Sequence, residues 1–415
     1  MVKLLQNVTV VDPQSKHNGS QVDIRIIDGR IKTIAAAGSI SPAEGEECIQ
    51  GEGLHVSPGW VDMGCHLSDP GFEHKESLEA LAQAAAFGGF TDVLCYPNTQ
   101  PASDDSSAIK ALVSRAHGLD AQLHFMGAIT EGANSQNLAE LFDMQKAGAL
   151  AFSDGRHSIQ SSSLLLRSMQ YSQAFDGLMI MYPVDEDLAK GAQMNESETS
   201  VYLGMKGAPE LAETAAVSNL LHIQAYGGGN IHLQPLTSAA AINAAAEHHV
   251  TTAVSIAHVA WDDSVVMDFD THFKINPPLR DKKQKAALLQ TIADGKVDAF
   301  CSYHQAQGLE EKLVEWPYAE PGMLALQTFF PLAMEHLVRP GIISLERLIS
   351  MLTYGPRDIL GLALQSIEEG HEASVTLFQP EADWEFDRKA IFSRAVNSPL
   401  LGKTLRGKAW GLTRD

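Results

Sequence analysis

The chain has 415 residues, of which 45% are hydrophobic, and a formal net charge of −21. This length suits one large domain with a smaller one, and the apolar fraction is enough for a full core. The acidic balance disfavours nucleic acid and anionic membranes as partners, because both are themselves negative. No apolar stretch approaches the roughly 20 residues that span a bilayer, and the segment Met1–Pro13 lacks the features of a signal peptide, so we expect a cytoplasmic protein.

Short strands are predicted at both ends of the chain. The dipeptide Asp28-Gly29 is a strong hairpin signal, and the apolar segment Ser374–Phe378 is followed by turns near Pro380 and Gly402. We predict that the two ends, 1–57 and 365–415, form one small β-sandwich domain. The strands expected near the start are Leu4–Val11, Val22–Ile27 and Ile31–Ile34.

The middle of the chain, 58–364, alternates apolar strands with helical patterns. Eight such strands predict parallel pairing and a closed (β/α)₈ barrel of the TIM type, whose chemistry lies at the carboxyl ends of the strands. Gly88-Gly89 and Gly148 stand where helices should end. The predicted strands are Trp60–Leu67, Thr91–Tyr96, Leu123–Ile129, Leu150–Ser153, Leu178–Val184, Ile231–Leu236, Thr252–His258 and Val297–Tyr303. The predicted helices are Glu76–Phe87, Ser106–His117, Leu138–Ala147, Ala208–Ala225, Ser238–His249 and Lys282–Ala293.

Several motifs occur in an order that resembles the dihydroorotases of the amidohydrolase superfamily. They are Pro58-Gly59-Trp60-Val61-Asp62-Met63-Gly64-Cys65-His66, Tyr96-Pro97-Asn98-Thr99, Ala151-Phe152-Ser153-Asp154, Met194-Asn195-Glu196, Asn276-Pro277-Pro278-Leu279-Arg280 and Asn397-Ser398-Pro399. The resemblance implies a metal-dependent hydrolase barrel beside a β-sandwich built from both termini. It also implies the reversible cyclisation of carbamoyl aspartate to dihydroorotate, in pyrimidine biosynthesis.

The positions that bind metal in this family have largely changed. The resemblance places six ligand positions on the strand ends, and only His66 and Asp154 keep a ligating side chain. The other four are Gly64, Tyr182, Pro235 and Tyr303. Glycine and proline side chains cannot coordinate, neutral tyrosine is a poor substitute, and a catalytic zinc normally needs three protein ligands.

The substrate-binding positions of the family are kept only in part. The arginine that binds the substrate carboxylate is replaced by Ser68, whereas Asn98 and Asn276 match family segments near the substrate. These three residues are interpreted as remnants that shape loops. We expect no catalytic residue, and no cofactor unless the chain is active with zinc.

Two other metal arrangements were weighed. His66 and Asp154 could form a weak single-metal site, although packing and hydrogen bonding are the preferred interpretation. A replacement zinc site from Cys65, His258, Cys301 and His304 is disfavoured, because strand alternation turns Cys65 away from His66. Cys65, Cys95 and Cys301 lie in apolar runs and are expected to be buried free thiols.

The pattern of losses resembles a non-catalytic lineage of dihydroorotase-like chains. In that lineage the chain assembles with the catalytic chain of aspartate transcarbamoylase, so the resemblance implies an oligomer or hetero-complex. The alternative is an active dihydroorotase, or a related cyclic-amide hydrolase, with a metal-poor site. A third interpretation, a sensor that binds a pyrimidine intermediate unchanged, is weakened by the loss of arginine at Ser68.

Overall fold

The computed structural model describes residues 2–363 and 365–412. Position 364 and residues 413–415, which fall at the ends of the predicted domain ranges, lie outside the described residues. The strands are β1 (Val2–Val10), β2 (Gln21–Ile27), β3 (Arg30–Ala36), β4 (Glu47–Gln50), β5 (His55–Pro58), β6 (Trp60–His66), β7 (Phe90–Tyr96), β8 (Gln122–Gly127), β9 (Ala149–Phe152), β10 (Leu178–Met181), β11 (Met194–Asn195), β12 (Gly207–Ala208), β13 (Asn230–Leu233), β14 (Thr251–Ser255), β15 (Ala299–Cys301), β16 (Val375–Phe386) and β17 (Lys403–Leu412). The α-helices are α1 (Leu78–Phe87), α2 (Ser106–Arg115), α3 (Leu141–Ala147), α4 (Ser162–Gln173), α5 (Glu186–Ala189), α6 (Glu198–Leu203), α7 (Leu211–Gly227), α8 (Ala239–Glu247), α9 (Ile256–Ala260), α10 (Lys282–Ala293), α11 (Leu309–Lys312), α12 (Phe329–Ala333), α13 (Leu345–Leu352) and α14 (Tyr354–Leu360).

Eight parallel strands form the predicted barrel. Their order is β6-β7-β8-β9-β10-β13-β14-β15. The first and last strands meet beyond the end of β15, where the Tyr303 amide donates to the Gly64 carbonyl at 2.9 Å and the His66 amide donates to the His304 carbonyl at 2.8 Å. These bonds bring the ends of the first and eighth strands together, so the fold-class prediction is confirmed.

Side chains that alternate along the strands separate the barrel interior from its outer core. On β6, Val61 and Met63 pack inside the barrel, whereas Trp60 and Cys65 pack in the cluster outside it. Cys301 lies inside. Strict alternation would place Cys65 on the same side as Val61 and Met63, but the register of β6 is irregular between Asp62 and Cys65, and Cys65 lies on the side of the sheet opposite to Cys301.

Seven of the eight barrel strands end earlier than the sequence predicted, and two of these ends matter for the site. The predicted seventh strand ran to His258, but β14 ends at Ser255 and α9 begins directly after it. A hydrogen bond of 2.7 Å between the Ser255 hydroxyl and His258 Nδ1 joins the strand end to this helix. The fifth strand ends at Met181, so Tyr182 opens the loop that follows.

The chain ends meet in one seven-stranded sheet of order β17-β16-β5-β1-β2-β3, with β4 beside β1. Asp28 and Gly29 form the predicted hairpin turn with φ values of 48° and 65°. The predicted turn near Pro380 is wrong, because β16 continues to Phe386. Its pairing with β17 is interrupted between Gln379 and Asp383, so the missing amide of Pro380 removes no ladder bond.

All four cysteines are free, and three of them, Cys65, Cys95 and Cys301, are buried as predicted. The fourth, Cys48, is exposed on β4. Across the described ranges, no helix combines the length and apolar character needed to cross a bilayer.

Candidate functional site

The carboxyl ends of the barrel strands and their loops form the barrel mouth, which contains two cavities. One, of about 440 Å³, is lined by Tyr182 and Asn276 among others. The other, of about 320 Å³, is lined by His66, Ser68 and Asn98. The sequence-predicted residues therefore gather at the mouth, although in two places rather than around one centre.

The space next to Gly64 is occupied by other side chains. A Cβ atom at this position would lie 2.8 Å from Gln234 Nε2 and 2.9 Å from the Tyr96 hydroxyl. Gln234 Nε2 donates to the Met63 carbonyl at 2.7 Å and to the Tyr96 hydroxyl at 2.8 Å. An amide and a phenol thus fill the volume into which a side chain at position 64 would extend.

His232 holds this amide in place. Gln234 uses its nitrogen as the donor, so its Oε1 accepts from His232 Nε2 at 3.1 Å. His232 Nδ1 then accepts from the Thr251 hydroxyl at 2.9 Å. The ring is neutral in this arrangement, and burial lowers the pKa of His232 to about 4. Pro235, which follows Gln234 in the chain, is also buried, and its side chain offers no ligand atom.

Acidification is expected to destabilise the protein through His232. Its pKa in the folded chain lies below the value of about 6.5 expected when unfolded, so the unfolded chain binds more protons between these values. This residue alone should reduce the free energy of unfolding by about 2 kcal/mol between pH 7 and pH 5. Urea unfolding at both pH values measures the loss. His232→Gln should flatten the dependence relative to His248→Gln at an exposed site, and equal slopes in the two variants would contradict the assignment.

Asp154 is buried, and both of its carboxylate oxygens are engaged. Oδ1 accepts from the Thr130 amide at 2.9 Å and Oδ2 from the Thr130 hydroxyl at 2.6 Å. Burial raises the pKa of Asp154, while these two donations oppose the shift. The predicted ligand remnant therefore fastens the loop after β8 to the end of β9.

His66 is packed between two aromatic rings. It stacks on Tyr96 with centroids 4.9 Å apart and meets the edge of Tyr303 at 4.7 Å. Its Nε2 atom is buried and has no hydrogen-bond partner among the described residues. Burial, together with the charges of Arg156 and His304, holds the pKa of His66 well below its ordinary value.

The two tyrosines at former ligand positions are buried at the mouth. Burial raises the pKa of both Tyr182 and Tyr303, so both phenols are neutral near pH 7. Tyr303 adopts a left-handed backbone conformation with φ of 53°, and its hydroxyl is buried without a partner in the described part of the chain. Tyr182 lines the larger cavity, and the Tyr303 ring packs against His66.

The residues that match substrate-binding segments of the family have separate environments. The Ser68 side chain is 8% exposed, and the carbonyl of this residue accepts from the Phe72 amide at 2.7 Å. Asn98 Nδ2 donates to the Asp154 carbonyl at 3.0 Å, while its Oδ1 is buried and has no partner among the described residues. Asn276 is exposed and lines the larger cavity together with Tyr182.

A buried network lies beneath the larger cavity. Arg280 donates to Asn195 Oδ1 at 3.0 Å, to Glu213 Oε2 at 3.1 Å and to the Thr237 hydroxyl at 2.8 Å. Glu213 also accepts from the amides of Thr237 and Ser238. The Arg280 guanidinium therefore connects its own sequence motif to the motif that contains Asn195.

The residues considered for a replacement zinc site have other partners. His304 Nδ1 accepts from the amides of Ala325 and Leu326, so its Nε2 carries the proton and faces Glu76 at 3.2 Å. His258 Nε2 lies 3.1 Å from the Pro277 carbonyl. Cys65 and Cys301 also lie on opposite sides of the sheet. The four side chains considered as zinc ligands therefore do not face one common point.

A hydrolytic metal centre does not fit the residues present at the mouth. Of the six family positions, only His66 has an uncommitted ligand atom of the type that zinc prefers. Within the described residues, the one group of three metal-binding side chains with ligand atoms all within 4.8 Å is His74, Glu310 and Glu311. Two of these residues, Glu310 and Glu311, lie on α11, and Glu311 also lines the smaller mouth cavity; none of the three is one of the six family positions.

Two residues at the mouth were missed by the sequence analysis. No role was predicted for Gln234, which fills the space beside Gly64. Arg156 lines both cavities. Its position two residues after Asp154, at the end of the fourth barrel strand, was the available signal.

Sequence comparison places this architecture among known proteins. Residues 53–239 match the family model described as "Dihydro-orotase-like". The chain is 34% identical over 413 residues to "Dihydroorotase" of Acetivibrio thermocellus, covering 98% of this chain and 96% of that one. The chain belongs to the dihydroorotase family. A second family member, "Dihydroorotase" of Pelotomaculum thermopropionicum, is also 34% identical and covers 99% of this chain and 96% of that protein.

Solved structures extend the likeness of this dihydroorotase-family chain to hydantoinases. L-Hydantoinase from Arthrobacter aurescens superposes with a TM-score of 0.87 at 20% identity, covering 99% of this chain and 94% of that chain. Dihydropyrimidinase from Brevibacillus agri NCHU1002 superposes with a TM-score of 0.83 at 18% identity, covering 100% and 94%. At these identities the likeness establishes the fold: a (β/α)₈ barrel with a sheet built from the chain ends.

Proposed function

We propose that this dihydroorotase-family chain is non-catalytic and serves as a structural partner of the aspartate transcarbamoylase catalytic chain. The observation that carries the proposal is the set of side chains at the mouth. Gly64 is covered by Gln234 and Tyr96, Asp154 is bound to Thr130, and two other positions are buried tyrosines. No arrangement of these groups supplies the three ligands of a catalytic zinc.

The energetic consequence of losing the metal is large. Zinc lowers the pKa of bound water from about 15.7 to about 7. Without it, ionising that water at neutral pH costs about 12 kcal/mol, of which part is regained because free hydroxide is the better nucleophile. By the resemblance, Tyr303 stands where the family has an aspartate that binds metal and transfers the proton. The Tyr303 phenol is neutral, and loss of this general base lowers the reaction rate by a further factor of about 10²–10⁴.

The distribution of exposed apolar side chains supports a protein partner at the mouth. Val201 and Tyr202 are 80% and 77% exposed in the segment between β10 and α7, while Leu313 and Tyr318 are 70% and 76% exposed after β15. Both segments follow carboxyl ends of barrel strands. Side chains of this size exposed together on one face are typical of interaction surfaces.

The catalytic part of the proposal is tested with protein purified from a host that lacks its own dihydroorotase. We expect no stoichiometric zinc by elemental analysis and no conversion of dihydroorotate, with or without added zinc. An active family member prepared in the same way is the control. Bound zinc together with turnover that survives further purification would overturn the non-catalytic assignment.

The partner part is tested by mixing the chain with the aspartate transcarbamoylase chain encoded in the same genome. We expect one stoichiometric complex in size-exclusion chromatography with light scattering. Tyr202→Glu should weaken the complex about tenfold or more, because a charge would be buried at the contact. Tyr226→Glu is the matched control, since Tyr226 is 83% exposed at the far end of α7. Separate elution of the two chains would contradict the proposal.

The second candidate function is an active dihydroorotase. It is favoured by the similarity to proteins named dihydroorotase at 32–34% identity over almost the whole chain. On this hypothesis the mouth would rearrange around a metal, which requires release of Gln234 and Asp154 from their present hydrogen bonds. The zinc and turnover measurements above separate the two candidates.

A further inference from the structure

Arg156 is a cation at the barrel mouth that the sequence motifs do not explain. It is half-buried and lines both mouth cavities, of about 440 Å³ and about 320 Å³. With the Gln305 amide oxygen turned toward it, Arg156 Nη1 donates one hydrogen bond of 2.8 Å. Among the described residues, no carboxylate forms an ion pair with this guanidinium, although the arginines Arg115, Arg280 and Arg357 each do so.

The other cations around these cavities already have protein partners. Lys274 donates to Gln193 Oε1 at 3.2 Å and to the Trp316 carbonyl at 2.6 Å. Arg280 is paired with Glu213, and Lys75 forms an ion pair with Glu311 at 2.7 Å. In the described part of the chain, four carboxylates line the two cavities. Glu213 and Glu311 form the ion pairs just described, and the other two are Glu186 and Glu320. Arg156 is therefore the cation whose donors remain largely available.

Two buried groups without partners among the described residues lie in the same part of the mouth, because His66 lines the smaller cavity with Arg156 and Tyr303 packs against His66. The Tyr303 side chain is 8% exposed and its hydroxyl is unpaired, while His66 is 5% exposed and its Nε2 atom is unpaired. The Tyr303 ring meets the His66 ring edge-on, with the ring centroids 4.7 Å apart. A buried phenol without a partner favours a bound group that accepts hydrogen bonds, and His66 Nε2 donates to such a group in the tautomer that carries its proton on this atom.

We propose that the barrel mouth binds a small oxyanion, a carboxylate or a phosphate, held by the Arg156 guanidinium with the Tyr303 hydroxyl and His66 Nε2. A planar guanidinium offers paired donors to such a group, and charge-assisted hydrogen bonds are the strong ones. The anion would lie in the region that a metal cation occupies in an active family member. The site would therefore bind a ligand of the opposite charge. The proposal rests on the inferred absence of a metal from the mouth.

The test is calorimetric titration of the whole chain with inorganic phosphate and, separately, with malonate, at ionic strength fixed with chloride. We expect one site per chain for at least one of the two anions, and the preferred one identifies the chemical class. Arg156→Gln should weaken binding about 10- to 100-fold, and Tyr303→Phe about 3- to 10-fold. Arg167→Gln, on the exposed surface of α4, should leave binding unchanged.

The outcomes separate the anion site from the proposed function. Equal binding by the Arg156→Gln variant and the parent chain would mean an adventitious ion only and would overturn the site. Absence of measurable binding by both anions would overturn it as well. If Arg156→Gln misfolds, as judged by circular dichroism, the Tyr303→Phe variant and phosphorus NMR line widths of added phosphate still decide the question. Zinc content and turnover, measured separately, report on the non-catalytic assignment and not on the anion.

Discussion

Replacement of Glu213 by alanine is expected to lower the free energy of unfolding by about 3–5 kcal/mol. The carboxylate is 2% exposed and accepts from Arg280, whose own side chain is 5% exposed. Removal of the carboxylate leaves a guanidinium buried without its counter-charge, and desolvation of that charge is no longer offset. Urea unfolding followed by tryptophan fluorescence measures the change.

Two controls make this result specific to the buried pair. Glu335→Ala removes the partner of Arg339 in a pair whose acid is 62% exposed, and should cost less than about 0.5 kcal/mol. The double variant Glu213→Leu with Arg280→Met removes both charges and should regain much of the loss. A Glu213→Ala variant as stable as Glu335→Ala would show that Arg280 does not depend on Glu213.

Restoring the missing imidazole at position 64 is expected to damage the fold without creating a metal site. In Gly64→His, the new Cβ would lie 2.8 Å from Gln234 Nε2 and 2.9 Å from the Tyr96 hydroxyl. Overpacking of a filled interior should reduce the free energy of unfolding by about 3 kcal/mol. Zinc content should remain below stoichiometric, because the other ligand positions still lack donors. Thermal denaturation and elemental analysis measure the two effects.

The same substitution at a less crowded glycine provides the comparison. At Gly51 the nearest atom to a new Cβ is the end of the Gln379 side chain at 3.2 Å, so Gly51→His should be milder. Adding Gln234→Ala to Gly64→His opens space and should restore part of the stability. Stoichiometric zinc in the single variant would refute the view that the mouth is filled.

Much of the fold could be predicted because local patterns and long-range structure agree. Fully buried strands such as β6 and glycine-terminated helices such as α3 carry their own signals, and their order predicts a closed barrel. The seventh strand was overextended because the apolar run continues into α9, where hydrophobicity alone does not separate strand from helix. The turn predicted at Pro380 failed because an interrupted ladder accommodates proline inside β16.

The sequence predicted where the candidate site lies, but not which side chains fill it. The motifs located His66, Asp154 and the changed positions, since these lie at strand ends. What fills the mouth depends on side chains from other strands, such as Gln234 reaching Tyr96 and the Met63 carbonyl. Contacts of that kind are set by the closure of the barrel, so no local spacing reveals them. Arg156 differs, because its position two residues after Asp154 was a local signal that the motif analysis did not use.

The burial of three of the four cysteines has a practical consequence. A maleimide fluorophore should attach to Cys48 alone in the native protein, since the thiols of Cys65, Cys95 and Cys301 are inaccessible. Cys48 lies on β4 of the terminal sheet, outside the barrel. One dye per molecule, introduced without mutagenesis, would therefore report complex formation by fluorescence anisotropy while leaving the strand-end loops unmodified.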